Sequence, residues 1–146
     1  SLGIGYPVFN TNDPTVVEPI WGQQIGMTLA TTQAFIDKNE QLVQDVVDAV
    51  REGQVFVKKN INNPDAIFAK MPAEYREANP DFAEQWKFVK VAYVVDGTFT
   101  NKAVADTVSF ALAVGTLKPF TTDKLDPRKI FSNRFAAAAV AKMPGK

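Results

Sequence analysis

Between Ala30 and Asn60 the apolar residues fall into a helical rhythm. Leu42, Val43, Val46, Val47, Val50 and Phe56 recur at three- and four-residue steps, and Asp45, Asp48, Arg51 and Glu52 fill the gaps. The stretch predicts a short helix, a polar hinge and a long amphipathic helix. Asn39 is placed to accept from the unpaired amides of the first turn, and Glu40 suits the positive end of the helix dipole. Lys58 and Lys59 suit the negative end, and Asn60 can close it.

Upstream the pattern is less regular. Gly3, Gly5, Pro7 and the Asn-Thr-Asn-Asp tract predict turns around a short extended piece, Tyr6–Phe9. Pro14 and Pro19 bracket Thr15–Glu18, a stretch too short for a stable helix. From Trp21 to Ala30, Ile25, Met27 and Leu29 alternate with small or polar residues, which predicts a strand, either an edge strand or an extended arm.

Downstream, Asn63-Pro64, Asn79-Pro80 and Asp126-Pro127 each set a capping side chain before a proline, the pairing that opens helices. The first predicts a helix from Pro64 to Lys70 with Ala66, Ile67 and Met71 inward, stopped by Pro72 and followed by a loose turn over Ala73–Ala78. The second predicts a helix from Pro80 with Phe82, Trp86, Val89 and Tyr93 on one face. Val89–Val95 also has strand composition, but the established spacing favours helix to about Tyr93. Thr100 or Asn101 begins a helix to Val114 with Val104, Val108, Ala111 and Leu112 inward, ended by Gly115. Pro127–Phe131 predicts a single turn, Asn133 a last alanine-rich helix through Val140, and Met143–Lys146 a frayed end. The predicted core is Val46, Val50, Trp86, Val89, Val108 and Leu112.

Composition narrows the chemistry. At 146 residues and 46% apolar, the chain has the size and content of one packed domain. Lys+Arg and Asp+Glu both number 16, so net charge offers no encouragement for nucleic acid or an anionic membrane. With no cysteine and no histidine, disulfides, thiolate metal sites, imidazole bases and Ser-His or Cys-His pairs are excluded. No apolar run approaches the roughly 20 residues that cross a bilayer. The chain opens on Ser1 and not on methionine, so its N-terminus is expected to be processed, tagged or cut from something longer.

Catalysis finds little support. Asp45 and Asp48 belong to the polar side of the long helix and read as a solvated face. Asp123 and Asp126 read as connector and cap, and no glycine group forms a nucleotide cradle. The expectation is a non-enzyme without metal or cofactor. Trp21 with Gln23 and Gln24 is the strongest binding candidate: an aromatic face beside amides suits a small polar ligand at a cleft. The alternative is a tryptophan packed beneath a loop with solvated glutamines. Tyr6 and Asn10 are weaker candidates on the turn-rich arm, Trp86 reads as core, and Arg134 suits either a ligand anion or an anchor for the last helix.

Three segments, in order, are also similar to a known family. TTQAFIDKNEQLVQDVVDAVREG, DGTFTNKAVADTVSFALAVGTLK and LDPRKIFSNRF resemble the C-terminal part of bacterial solute-binding proteins of the nitrate/sulfonate/taurine and thiamine-precursor transporter group, although Glu40 stands where many members carry proline. The resemblance spans roughly Met27 to Phe135 and implies a partial type II periplasmic-binding α/β fold. This chain would itself be mostly helical with short strands near its N-terminus: residues 1–30 an extended interlobe segment, 31–146 the helical part of one lobe. It implies a periplasmic or extracytoplasmic protein whose partners are a small-molecule ligand, the membrane permease of an ABC importer and a missing N-terminal part or companion chain. Trp21, Gln23, Gln24 and Tyr6 would lie toward the ligand. The competing expectation is a small helical docking module without a transport role.

Overall fold

The computed structural model describes residues 10–93, 96–117, 126 and 130–145. Helices follow one another: α1 Pro14–Trp21, α2 Gln33–Lys38, α3 Glu40–Lys59, α4 Pro64–Phe68, α5 Ala73–Ala78, α6 Phe82–Val89 with a 3-10 turn Lys90–Ala92, α7 Asn101–Ala113 and α8 Arg134–Lys142. Among the described residues there is no strand, so they are mostly helical as expected; the strand expected over Trp21–Ala30 is not seen, and the extended piece Tyr6–Phe9 lies outside the described residues.

Two differences from the sequence reading fall on the N-terminal side. Pro14–Trp21 is a helix after all. Asp13 caps it by accepting from the Thr15 amide at 2.9 Å, Pro14 occupies the first turn, and Pro19 sits inside with no amide to donate. Trp21 therefore ends a helix and does not begin a strand. The following residues do not form one either: the amides of Gln23 and Ile25 donate to side chains of α7, at 2.8 Å to Asp106 Oδ2 and 2.9 Å to Thr107 Oγ1. Gly26–Ala30 is exposed, bends at Met27, and has no neighbouring strand among the described residues to pair with.

The capping signals were right about places and partly wrong about roles. Asn63 accepts from the Ala66 amide at 3.3 Å and Thr100 from the Ala103 amide at 3.0 Å, as start signals do. Asn39 instead donates to Phe35 O at 3.0 Å, and Asn79 to Tyr75 O at 2.8 Å, so each closes the helix before it. Asn79 thereby ends α5, a short helix where a loose turn was expected, and α6 starts at Phe82, two residues later than Pro80. Gly115 terminates α7 at φ 78°, as predicted. The turn at Pro127–Phe131 lies largely outside the described residues.

The main core joins α4, α6 and the C-terminal half of α3. Ile67, Phe82 and Trp86 are buried together, with Phe56, Val57, Ile61, Phe68, Met71 and Tyr93 packed around them. Phe68 stacks on Phe82 at 5.3 Å between ring centroids, and Phe82 on Trp86 at 5.7 Å. The Trp86 indole N–H donates to Ile61 O at 2.8 Å, so the one polar atom of the ring is satisfied. Burial pushes the Tyr93 hydroxyl pKa up, with the Arg51 charge opposing the shift.

The predicted core list is corrected at three positions. Trp86 and Val108 are buried and Leu112 is half-buried, but Val46 is 47% exposed, Val50 43% and Val89 43%. α3 is rotated relative to the expected phase. Its inward face carries Gln44, Val47, Asp48 and Arg51, because α8 packs along that side. Arg51 is only 3% exposed, and its Nε and Nη2 donate to Met143 O at 3.1 and 2.9 Å. Lys58 Nζ adds a bond to Gly145 O at 3.2 Å, so residues 143–145 are hydrogen-bonded back to α3 where a frayed end was expected. No helix among the described residues is long and apolar enough to cross a membrane.

Candidate functional site

The Trp21–Ile25 stretch is the most tightly specified irregular segment. At its start Gly22 has φ 75°, a conformation that side chains disfavour. A Cβ placed there would come within 2.6 Å of Asp106 Cγ, so glycine is required for approach as well as for dihedral. Asp106, one turn into α7, accepts from the Gln23 amide and from Lys102 Nζ, and Thr107 accepts from the Ile25 amide. Lys102 first, and the Gln23 amide second, hold the Asp106 carboxyl below the ordinary aspartate range. The result is a backbone segment fastened to the first two turns of α7 by side chains.

The predicted ligand-facing side chains are not all free. Trp21 is half-buried with its ring 5.9 Å from that of Phe110, inclined at 57°. Thr100 Oγ1 donates to Gln23 Oε1 at 3.0 Å, and Gln23 Nε2 lies 3.5 Å from Glu18 Oε2. Gln24 Nε2 donates to Trp21 O at 2.6 Å, leaving its amide oxygen toward solvent. Trp21, Gln23 and Gln24 are thus together, while Tyr6 lies outside the described residues. Asn10 is spent on structure, donating to Phe88 O at 2.9 Å and accepting from the Asn12 amide at 3.0 Å.

A concavity of about 320 Å³ opens between α3 and α8 and is lined by Glu40, Gln41, Gln44, Arg134, Phe135 and Ala138. Arg134 pairs with Glu40 at 2.6 Å, and its guanidinium stands 4.5 Å above the Phe135 ring. This is the anchoring role that the sequence offered as the alternative to anion binding. Both partners are more than half exposed. Of the lining residues only Arg134 was a sequence candidate; the glutamines are ordinary on a helix surface until α8 comes to lie over them.

The carboxylates form no acid-base pair. Asp45 accepts from Gln41 at 2.7 Å on the open side of α3. Asp48 was expected on the solvated face but turns toward α8, where Lys142 lies at 2.6 Å and Gln44 at 2.7 Å. Lys142, then Gln44, lower the Asp48 pKa. Asp123 lies outside the described residues. Among those described, no group of three or more metal-ligating side chains is brought together.

Asn133 escaped the sequence reading in its real role. Its amide both accepts from the Phe99 N–H and donates to the Phe99 carbonyl, each at 2.8 Å, and so joins the start of α8 to the entry of α7. An Asn before a helix signals a cap, and nothing in its neighbours reveals a backbone partner 34 residues away. No family model matches the chain, and neither curated proteins nor solved structures give a match.

Proposed function

We propose that this chain is the C-terminal portion of the extracytoplasmic solute-binding component of an ABC importer for a small organic or oxyanion ligand. The sequence basis is the ordered resemblance of three segments, which here become α2–α3, the turn at Gly97 leading into α7, and the start of α8. The observation that carries the reading is the fastening of Trp21–Ile25 to α7. A ligand edge must keep its geometry while lobes move around it. Here a glycine that tolerates no Cβ, two hydrogen bonds to α7 residues and a third from the α7 cap Thr100 hold Trp21 and Gln24 in place.

In this reading Gly26–Thr31 continues into the remainder of the lobe. Its residues are exposed and make no backbone hydrogen bond to another described residue, while Met27 and Leu29 present apolar side chains. Function requires no covalent step. Ligand stabilises the closed arrangement of two lobes by its better affinity for it, and the permease reads the closed form.

Calorimetric titration of the full-length parent against nitrate, alkyl sulfonates, pyrimidines and aromatic acids tests the proposal. One of these classes should bind, and Trp21→Ala should weaken it by roughly 1–3 kcal/mol. Absence of binding to the intact parent would end the transport reading. The docking-module reading would then stand, favoured by one specific observation: Leu42, Val46 and Val50 form an exposed apolar row on α3.

A further inference from the structure

The outer side of α3 carries a surface that the chain itself does not use. Leu42, Val46 and Val50 follow one another at four-residue steps and are 52%, 47% and 43% exposed. Ala49 and Gly53 share that side and are exposed as well. Gly53 is the informative residue. Glycine is among the poorest residues for a helix interior, and here no atom of the described residues outside the helix's own backbone lies within 4 Å of the position its Cβ would take. Neither a turn, a positive φ nor an internal close approach accounts for it.

Charge gives the second indication. Asp45 and Glu52 border the row, both are exposed, and neither is ion-paired among the described residues. The other acids of α3 are compensated, Glu40 by Arg134 and Asp48 by Lys142. No lysine or arginine lies in α3 before Arg51, which is buried against Met143 O. The open side is therefore apolar along its length, notched at Ala49 and Gly53, and negative along one border.

We infer that this side of α3 is a docking surface for a basic amphipathic helix of a partner protein. Large apolar side chains of the partner enter the notches at Ala49 and Gly53, as ridges of one helix enter grooves of another, and its Lys or Arg side chains meet Asp45 and Glu52. A second copy of this chain fits less well. In an antiparallel pairing of two α3 helices the Asp45–Glu52 borders would face each other, acid against acid. The inference stands apart from the transport reading and involves none of the residues of the Trp21 site.

The test uses the whole chain and two synthetic helical peptides with the same leucine face, one flanked by lysine and one by glutamate. Fluorescence anisotropy should show saturable, salt-sensitive binding of the lysine peptide and no binding of the glutamate peptide. Gly53→Leu fills the notch while favouring the helix, so it should fold, as circular dichroism checks, yet bind the lysine peptide roughly tenfold or more weakly. Val46→Asp should do the same. Equal binding of both peptides, binding of neither, or indifference to Gly53→Leu overturns the assignment. So does sedimentation showing self-association that Val46→Asp abolishes, which would assign the surface to a second copy.

Discussion

Two joints in this molecule are built in opposite ways. Where α4 and α6 meet the end of α3, aromatic rings stack on one another, and the Trp86 indole N–H and the Tyr93 hydroxyl are the polar concessions. Where α8 meets the front and middle of α3, polar contacts dominate. Glu40, Gln44, Asp48, Arg51 and Lys58 reach Arg134, Phe135 O, Lys142, Met143 O and Gly145 O in turn, around a centre where Ala139 is 1% exposed. The first joint draws on burial of apolar area, which has no direction and tolerates small shifts. The second draws on hydrogen bonds and ion pairs, which are directional, weak at the surface and sensitive to solvent. One long helix thus carries a dry joint at its end and a laced joint along its middle.

Removing the largest ring should separate the two most clearly. Trp86→Ala deletes the centre of the aromatic stack and leaves Ile61 O without its donor, and should cost about 3–5 kcal/mol. Denaturant unfolding measures it, and a loss below about 1 kcal/mol would show that the stack is not the principal core. Arg51→Met keeps side-chain bulk and removes the donors to Met143 O. It should cost about 1.5–3 kcal/mol, with hydrogen exchange accelerating in α8 while α6 keeps its protection. Equal acceleration in both helices would mean that the joints unfold as one unit.

Of the two joints, the laced one should respond to acid. The Asp48 carboxyl is held below its ordinary value by Lys142 and Gln44, so its contribution is complete above about pH 4 and is lost as pH falls through the folded-state value. Exchange of α8 amides, corrected for intrinsic rate, should rise as pH falls below about 4, and Asp48→Asn should flatten the dependence. On α6 the Glu84 carboxyl is also held below its ordinary value by Lys87, but that pair lies within one exposed helix face and joins no second element, and the raised Tyr93 pKa leaves that hydroxyl neutral throughout. The smallest effect is expected at Val50→Ala. Were the side chain buried the substitution would create a cavity; at 43% exposed it should stay within about 0.5 kcal/mol by thermal melting.

Much of the helical scaffold was legible before any coordinates. Periodic apolar residues and the Asn63 and Thr100 start signals depend on contacts a few residues apart, and α3, α4, α6 and α7 formed close to where these placed them. Trp86 was legible as core, since Phe82 lies one turn before it on the same face. The candidate site was legible as a cluster, Trp21 with Gln23 and Gln24, but not in its conformation. Alternation of Ile25, Met27 and Leu29 describes a strand only if another strand is available, and the amides of Gln23 and Ile25 bond to Asp106 and Thr107, 83 and 82 residues on.

By itself, then, the sequence determined where α3, α4, α6 and α7 turn helical and that this chain brings no imidazole or thiol, because both follow from residue identity and near neighbours. Tertiary structure alone decided which side of α3 faces inward. Valines at Val46 and Val50 and an arginine at Arg51 share one amphipathic helix, and hydrophobicity assigns the valines to the interior. Arg51 is buried and Val46 and Val50 are left outside because α8 packs on that side and the residue that closes it brings the Met143 carbonyl, which accepts twice from the guanidinium. Local pattern ranks residues by their cost of leaving water. Long-range packing supplies the partners that change that cost.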